Sequence, residues 1–369
     1  MTFTSHRRRS FLLAIVLIAI GSQGRADEQK PASALAQDRV IAGSPSDYME
    51  ARYIVLRGSN EEIGRALAFL ARKHHGLAPV PSKDPLRTRA QRHYLEKHAP
   101  NLFERMKGAA AFFDKRVDDD SLDFAGLWYV PFTFGCSVVY YPPTTTASGA
   151  GILSRNLDFS TGTLRGTKPT AGQPAALGRP YVVEIHPNRG YASLALCCCD
   201  LLSGVMDGVN SEGLTVTCLA DDELHSKFRM EPAGNNPVGL GSLQMLRHLL
   251  DTCATAQEAK EALFASKQYY EFLSLHYLIA DRQGNAFVWE YSQAHNREYI
   301  IETPGKPLVS TNFCLHRHLR DSAPPTPENA KKICSRYCAL SQAVRERPSG
   351  WSAESIKQSH LAADPSLLP

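Results

Sequence analysis

One stretch constrains this chain more than any other: residues 134–159, reading Phe-Gly-Cys-Ser-Val-Val-Tyr-Tyr-Pro-Pro-Thr-Thr-Thr-Ala-Ser-Gly-Ala-Gly-Ile-Leu-Ser-Arg-Asn-Leu-Asp-Phe. Cys136, preceded by the small residue Gly135, opens an apolar run of strand character over 138–141. A Pro/Thr/Gly turn follows, and a second run over 151–159 carries Arg155, Asn156 and Asp158. The pattern predicts a hairpin with a cysteine at the mouth of one strand and a cation and an anion on the next. A thiolate at neutral pH needs a nearby positive charge, and a cysteine nucleophile needs a base. Two plainer readings stand beside this one. Isolated cysteines commonly pack as small apolar residues, and an Arg-Asn-x-Asp run commonly forms a solvated strand face.

The remaining composition describes one exported globular protein. At 369 residues with 43% hydrophobic content, the chain has enough material for a large core. A net charge of +4, with basic residues scattered beyond the N-terminus, gives no basis for nucleic-acid binding. Arg7, Arg8 and Arg9 precede an apolar stretch over 13–20 and then Gly24-Arg25-Ala26, the three parts of a secretory signal. Arg8-Arg9-x-Phe11-Leu12 resembles a twin-arginine signal, which implies export to the periplasm or beyond. The apolar run is short for a membrane span, and the mature part offers no second candidate. Setting Cys136 aside leaves eight cysteines without Cys-x-x-Cys spacing, so no zinc site is expected. Cys197, Cys198 and Cys199 lie in a strand-like run, which predicts that the middle one faces away from its neighbours, and the three read as small apolar packing residues. A disulfide among the eight is compatible with export.

In chain order, 27–47 reads as a polar lead-in, and 52–58 alternates as a strand. Ser59 or Asn60 caps a helix whose first turn holds Glu61 and Glu62. Residues 86–117 read as mostly helical, with Leu95, Leu102 and Met106 on one stripe. Strands are expected over 181–186, 191–198, 203–207, 215–219, 273–281 and 286–291. Two amphipathic helices are expected over 241–250 and 256–265, the second capped by Thr255. Glu290, a charged residue at a strand end, reads as exposed. Residues 334–345 read as a helix, and the tail over 351–369 carries no legible motif. The loops 161–178, 221–238 and 313–331 are expected to shape any pocket.

Six short motifs in this order resemble the penicillin acyltransferase family (acyl-CoA:isopenicillin N acyltransferase), among the cysteine N-terminal-nucleophile hydrolases. Acid ceramidase and choloylglycine hydrolase are cousins. The motifs are Leu56-x-Gly58 with Glu62 and Gly64, Gly135-Cys136-Ser137, Arg155-Asn156-x-Asp158, Asn210 with Gly213-Leu214, Thr311-Asn312, and Ser335-Arg336. The resemblance implies an α+β fold, a four-layer αββα sandwich of two stacked antiparallel sheets flanked by helices. It implies a signal over 1–26, an N-terminal chain over 27–135 released by self-cleavage after Gly135, and a catalytic chain over 136–369 that begins with its nucleophile. Cys136 would then be nucleophile and, through its freed α-amine, base. Such an amine has a reference pKa of about 7.7–8.0. Arg155, Asp158 and Arg336 are implied beside it. The side chain of Asn312 and a backbone N–H near Ala220 are implied as oxyanion donors, with Asn210 among the oxyanion or substrate residues.

These roles imply hydrolysis of a linear, non-peptide amide of a small N-acyl substrate, with no metal or organic cofactor and with the cleaved N-terminal chain as partner. Export favours water over acyl-CoA chemistry. The alternatives are an acyltransferase of the isopenicillin N type, a lipid amidase of the ceramidase type, and an inert binding protein on the same fold. The sequence leaves the acyl group, the leaving amine and the oligomeric state open.

Overall fold

A computed structural model describes residues 33–129, 135–158, 178–222, 238–270, 274–292, 294–319, 324–326 and 334–364. The expected signal over 1–26 lies outside these residues, as do most of the loops 161–178 and 221–238 and part of 313–331.

Among the described residues, nine strands form one sheet. In chain order they are β1 (Leu35–Gly43), β2 (Glu50–Gly58), β7 (Tyr181–Pro187), β8 (Ser193–Cys197), β9 (Val205–Asn210), β10 (Thr215–Ala220), β13 (Leu275–Ala280), β14 (Ala286–Ser292) and β15 (Arg297–Glu302), and each neighbours the next. All pairs are antiparallel except β2 with β7, which run parallel from Arg52↔Tyr181 to Gly58↔Pro187. A second sheet has the order β16-β5-β6, with β5 at Gly135–Tyr141, β6 at Ile152–Asp158 and β16 at Leu308–Thr311. Two-residue pairs, β3 (Val80–Pro81) with β4 (Leu122–Asp123) and β11 (Leu240–Gly241) with β12 (Gln268–Tyr269), brace the loops.

Helices α1 (Asn60–His75), α2 (Pro85–His98), α3 (Pro100–Phe112), α4 (Ser242–Thr252) and α5 (Ala256–Ala265) precede α6 (Ser335–Glu346) and α7 (Ala353–Ala363). Helices α1 and α4 pack on the large sheet, with α3 against both of them. The small sheet touches the large one through β5 and β16 against β10 and β16 against β14, and α6 and α7 cover its outer side. The layers are helix, sheet, sheet and helix, the expected αββα sandwich. The central strands explain why their sequences lack alternation. Every residue of β13 is buried, as is all of β5 beyond Gly135, because each strand has a packed layer on both faces. One core joins α1, α3 and α4 to the large sheet through Ile63, Leu67, Leu102, Met106 and Leu246. The other runs from Val138, Tyr140, Leu278 and Val288 out to Tyr337 and Ile356.

The first helix carries a capping box. Glu62 N–H donates to Ser59 Oγ, and Ser59 N–H to Glu62 Oε2, so Ser59 is the cap. Gly64 has a packing reason: a Cβ there would lie 1.9 Å from Arg105 O, and one on Gly108 would lie 1.9 Å from Glu61 O. Two glycines let α1 and α3 cross with their backbones in contact. At that crossing Arg105, fully buried, donates twice to Asp251 at 2.8 and 3.0 Å and once to Asn60 Oδ1 at 3.0 Å. Arg247 is 2.9 Å from the same aspartate.

Several expectations are corrected. The helical stretch over 86–117 is two helices broken before Pro100, where the proline ring opens α3. Cys197, Cys198 and Cys199 are all buried, as small apolar packing residues should be, but the strand does not run through them: β8 ends at Cys197 and the chain turns, with Cys199 at φ 74°. The tail contains α7, whose Ile356 and His360 are buried. Glu290 is 1% exposed rather than solvated. No disulfide joins any of the nine cysteines among the described residues.

Candidate active site

The hairpin expected from the sequence is β5 and β6, and its register explains the placement of each charged side chain. Cys136 pairs with Leu157, Val138 with Arg155 and Gly135 with Asp158. Residues two apart share a face, so Arg155 lies diagonal to Cys136 on the face that meets the large sheet. Its Nη2 donates to Cys136 Sγ at 2.8 Å. Its Nη1 donates to Asp207 Oδ1 at 2.5 Å, Thr217 Oγ1 at 3.1 Å and the Met206 carbonyl at 3.3 Å. Asp207 and Thr217 are cross-strand partners on β9 and β10 and are hydrogen-bonded to each other. The small sheet therefore supplies thiol and cation, and the large sheet supplies the anion behind the cation.

Asp158 points to the other face of the hairpin. It stands beside Gly135, where a Cβ would be 3.1 Å from Asp158 Oδ2. Arg336, in the first turn of α6, pairs with Asp158 through Nη1 and donates to Asn312 Oδ1 at 2.9 Å through Nη2. Asn312 follows directly on β16, whose last pair is Thr311 with Ser137. Its Oδ1 accepts from the Cys136 backbone N–H at 2.6 Å, and its Nδ2 donates to the Ala220 carbonyl at 2.6 Å. Two donors on one side and an acceptor on the other orient the amide. An amide nitrogen carries two hydrogens, so one remains for an oxyanion.

The electrostatics oppose each other across 2.8 Å. Burial pushes the Cys136 thiol above its ordinary value, while the Arg155 guanidinium and the Ala220 N–H at the sulfur pull it back without cancelling the burial. Burial also works against the charge on Arg155, but Asp207 and the thiolate outweigh it and hold the guanidinium protonated. A thiol in this setting needs a base to react.

The structure thus brings Cys136, Arg155, Asp158, Asn312, Arg336, Gly135 and Ala220 together. It does not bring Asn210. Asn210 Nδ2 donates to Leu250 and Cys253 carbonyls, and Oδ1 accepts from Glu212 and Leu214 N–H groups. Every bond of its side chain goes to the turn after β9 or the end of α4, since a buried asparagine at a tight turn satisfies local backbone first. Asp207 and Thr217 were not singled out from the sequence. An acid inside the apolar run 205–209 is the signal that could have found Asp207.

Among solved structures, the chain is similar to the Caenorhabditis elegans N-acylethanolamine-hydrolyzing acid amidase ortholog. That match has 18% identity, covers 63% of this chain and 87% of that one, and has a TM-score of 0.41. Penicillin V acylase from Agrobacterium tumefaciens matches at 13% identity over 65% and 67% of the two chains, TM-score 0.29. A variant of conjugated bile acid hydrolase from Clostridium perfringens matches at 12% over 63% and 73%, TM-score 0.32. No curated protein matches the sequence. The family model described as acyl-coenzyme A:6-aminopenicillanic acid acyl-transferase matches residues 145–354. Gly135 and Cys136 precede that span, which takes in Arg155, Asp158, Ala220, Asn312 and Arg336. The match covers more than half of the chain, and the chain belongs to this acyl-transferase family.

Proposed function

We propose that the chain is an exported, self-processing amidohydrolase that cleaves a linear amide of a small N-acyl substrate through a Cys136 acyl-enzyme. The observation that carries the reading is the double grip on Cys136, with Sγ on Arg155 at 2.8 Å and its backbone nitrogen on Asn312 at 2.6 Å. A cysteine packed only as a small apolar residue requires neither contact.

Maturation uses the thiol first. Cys136 Sγ adds to the Gly135 carbonyl carbon, the Gly135–Cys136 C–N bond breaks, and the thiol proton ends on the departing nitrogen. Water then hydrolyses the thioester, leaving a carboxylate on Gly135 and a free α-amine on Cys136. Gly135 has no Cβ to obstruct the twist of its carbonyl. The amine formed lies beside Asn312 Oδ1. Asp158 Oδ1 is buried with no hydrogen-bond partner among the described residues, a carboxylate oxygen suited to receive a new N–H donor. In turnover the amine takes the thiol proton, Sγ attacks the substrate carbonyl, and the amine returns a proton to the leaving nitrogen. Asn312 Nδ2 stabilises the oxyanion, and water releases the acyl group. Preorganised donors of this kind contribute about 2.7–4 kcal/mol each in a well-studied protease.

Acyl transfer to an amine acceptor is the second reading, and the family description favours it. One experiment separates the readings. The purified protein is analysed by intact mass and then assayed on N-acyl amino acids, penicillin V, bile-salt conjugates, N-acyl homoserine lactones and N-acyl ethanolamines, with and without an added acceptor amine. Two fragments meeting at 135/136, with acid release independent of acceptor, are expected. Acyl product only with acceptor present would establish transfer. A persistent single chain inert to the whole panel would leave a binding protein on this fold.

A further inference from the structure

Flanking Asn312 in the sequence, through Ser310 on one side and residues 315–316 on the other, is a buried charged knot with no role in the chemistry above. Glu290 on β14 is 1% exposed and His276 on β13 is fully buried. Glu290 Oε1 accepts from the Leu315 N–H at 2.7 Å and lies 3.3 Å from His276 Nδ1. Its Oε2 accepts from the His316 N–H at 2.9 Å and meets His316 Nδ1 at 2.7 Å. On the other side, His276 Nε2 is 3.1 Å from Ser310 Oγ, two residues before Asn312. The His316 ring stacks on Tyr299 with centroids 4.3 Å apart. Burial alone would raise the Glu290 carboxyl, but His276 beside it and the bond from His316 outweigh burial and hold the group at about 2. The cluster faces N–H groups rather than open space, and among the described residues no group of His, Cys, Asp and Glu is arranged to hold a metal ion.

Its position in the sandwich gives it a use. The two groups expected to donate to the oxyanion come from different sheets. Ala220 ends β10 in the large sheet, and Asn312 follows β16 in the small one. Apolar contacts between the two sheets are non-directional, and Asn312 itself reaches across them only through its bond to the Ala220 carbonyl at 2.6 Å. His276 pairs with Leu219, the residue before Ala220, and crosses the interlayer to Ser310. Glu290 holds the turn immediately after Asn312. Hydrogen bonds with fixed lengths therefore bracket Asn312 on both sides and refer it to the strand beside Ala220.

We infer that His276 and Glu290 are positioning residues, a polar clamp between the sheets that fixes the distance between the Ala220 and Asn312 donors. The clamp rests on the amidase reading for its effect on rate but not for its effect on structure. Displacement of a reacting group by about 1 Å costs on the order of a hundredfold in rate.

The test uses the full-length chain with His276→Gln, Glu290→Gln and, as a conservative rescue, Glu290→Asp. The expected result is a kcat about tenfold to a hundredfold lower in the two Gln variants with KM within about threefold of the parent. Alkylation of Cys136 by iodoacetamide should proceed at the parental rate, because Arg155 is untouched. Glu290→Asp should recover part of kcat. Hydrogen exchange across 308–316 should speed up in both Gln variants. If folded Gln variants keep kcat within twofold, or lose kcat and alkylation equally, the clamp is wrong. If the parent turns over no substrate, the amidase reading fails separately, and unchanged exchange protection across 308–316 in either Gln variant would then overturn the clamp by itself.

Discussion

Arg155 is the group whose removal is most informative. Its guanidinium is 2.8 Å from Cys136 Sγ and 2.5 Å from Asp207. Two unit charges at 2.8 Å attract by about 6 kcal/mol at an effective dielectric of ~20, an upper bound before desolvation is counted. The net value of a hydrogen bond to a charged group is about 1.5–3 kcal/mol. At about 1.4 kcal/mol per tenfold, removal should lower the thiolate fraction at neutral pH by roughly tenfold to a hundredfold. The sign is fixed, because burial already raises the Cys136 thiol and Arg155 is the largest opposing influence. Losing the cation raises it further, so the reaction slows near pH 7 and recovers as the pH rises. Arg155→Leu alone leaves Asp207 without its cation, so the double variant Arg155→Leu/Asp207→Asn carries the test. Self-cleavage needs no added substrate, only water for the thioester, and its rate can be followed by intact mass across pH 6–10. A double variant that cleaves at the parental rate at pH 7, or whose pH profile does not move upward, would refute a role for Arg155 in activating the thiol.

Further outcomes are expected elsewhere in the molecule. Cys136→Ala should remain a single inert chain, while Cys136→Ser should cleave slowly, since a hydroxyl can make the same shift but is far less ionised; mass spectrometry of both variants decides this. Asp251→Ala strands the buried Arg105 and Arg247 and should cost about 3–5 kcal/mol, whereas removing the surface partner Lys107 of Glu104 should cost under about 1 kcal/mol. Denaturant titrations of both would show it. Burial works to raise Asp38, but Lys73 and Arg52 outweigh it and hold the carboxyl at about 2, where Glu290 also lies. Depressed carboxyls stabilise the fold above their ordinary range and lose that contribution as pH falls through about 2. Stability should therefore decline from pH 5 to 2, less steeply in Asp38→Asn, as read by unfolding midpoints. Replacing Arg8 and Arg9 by lysine should trap precursor inside the cell, and unchanged export would exclude the twin-arginine route.

The parts of the site legible in the sequence are those whose partners are near in sequence or fixed by strand register. Cys136 and Arg155 belong to one hairpin, and alternation along two paired strands is enough to place them on one face. Asn312 and Arg336 were legible through short motifs at element ends, where loops deliver side chains. Asp207, His276 and Glu290 were not, because their partners sit across an interlayer and no local period encodes which face meets which sheet. Glu290 shows the difficulty. A charge at the end of an aromatic strand reads as solvated, and only the turn over 315–316 folding back onto it makes burial tolerable. Asn210 failed in the opposite sense: its motif is visible, but a turn asparagine has so many local bonds to make that nothing in the sequence separates scaffolding from chemistry. Fold class was legible through the family resemblance, with which the paired helices and hairpin-clustered strands agree. The helix break at Pro100 and the α7 tail were not.

The parallel pairing of β2 with β7 has a consequence for the lifetime of the protein. Strand β2 precedes Gly135 and β7 follows it, and α1 and α3 of the earlier segment lie in the same core as α4 of the later one. A cut between Gly135 and Cys136 would leave every one of these contacts in place while deleting the covalent link that made them intramolecular. Folding of the precursor is a one-molecule event; reassembly of the cut product would be a two-molecule one, dependent on concentration. Each molecule could then fold once from the ribosome and, after processing, would unfold without an equivalent route back. Its persistence would be governed by the height of the unfolding barrier rather than by an equilibrium constant.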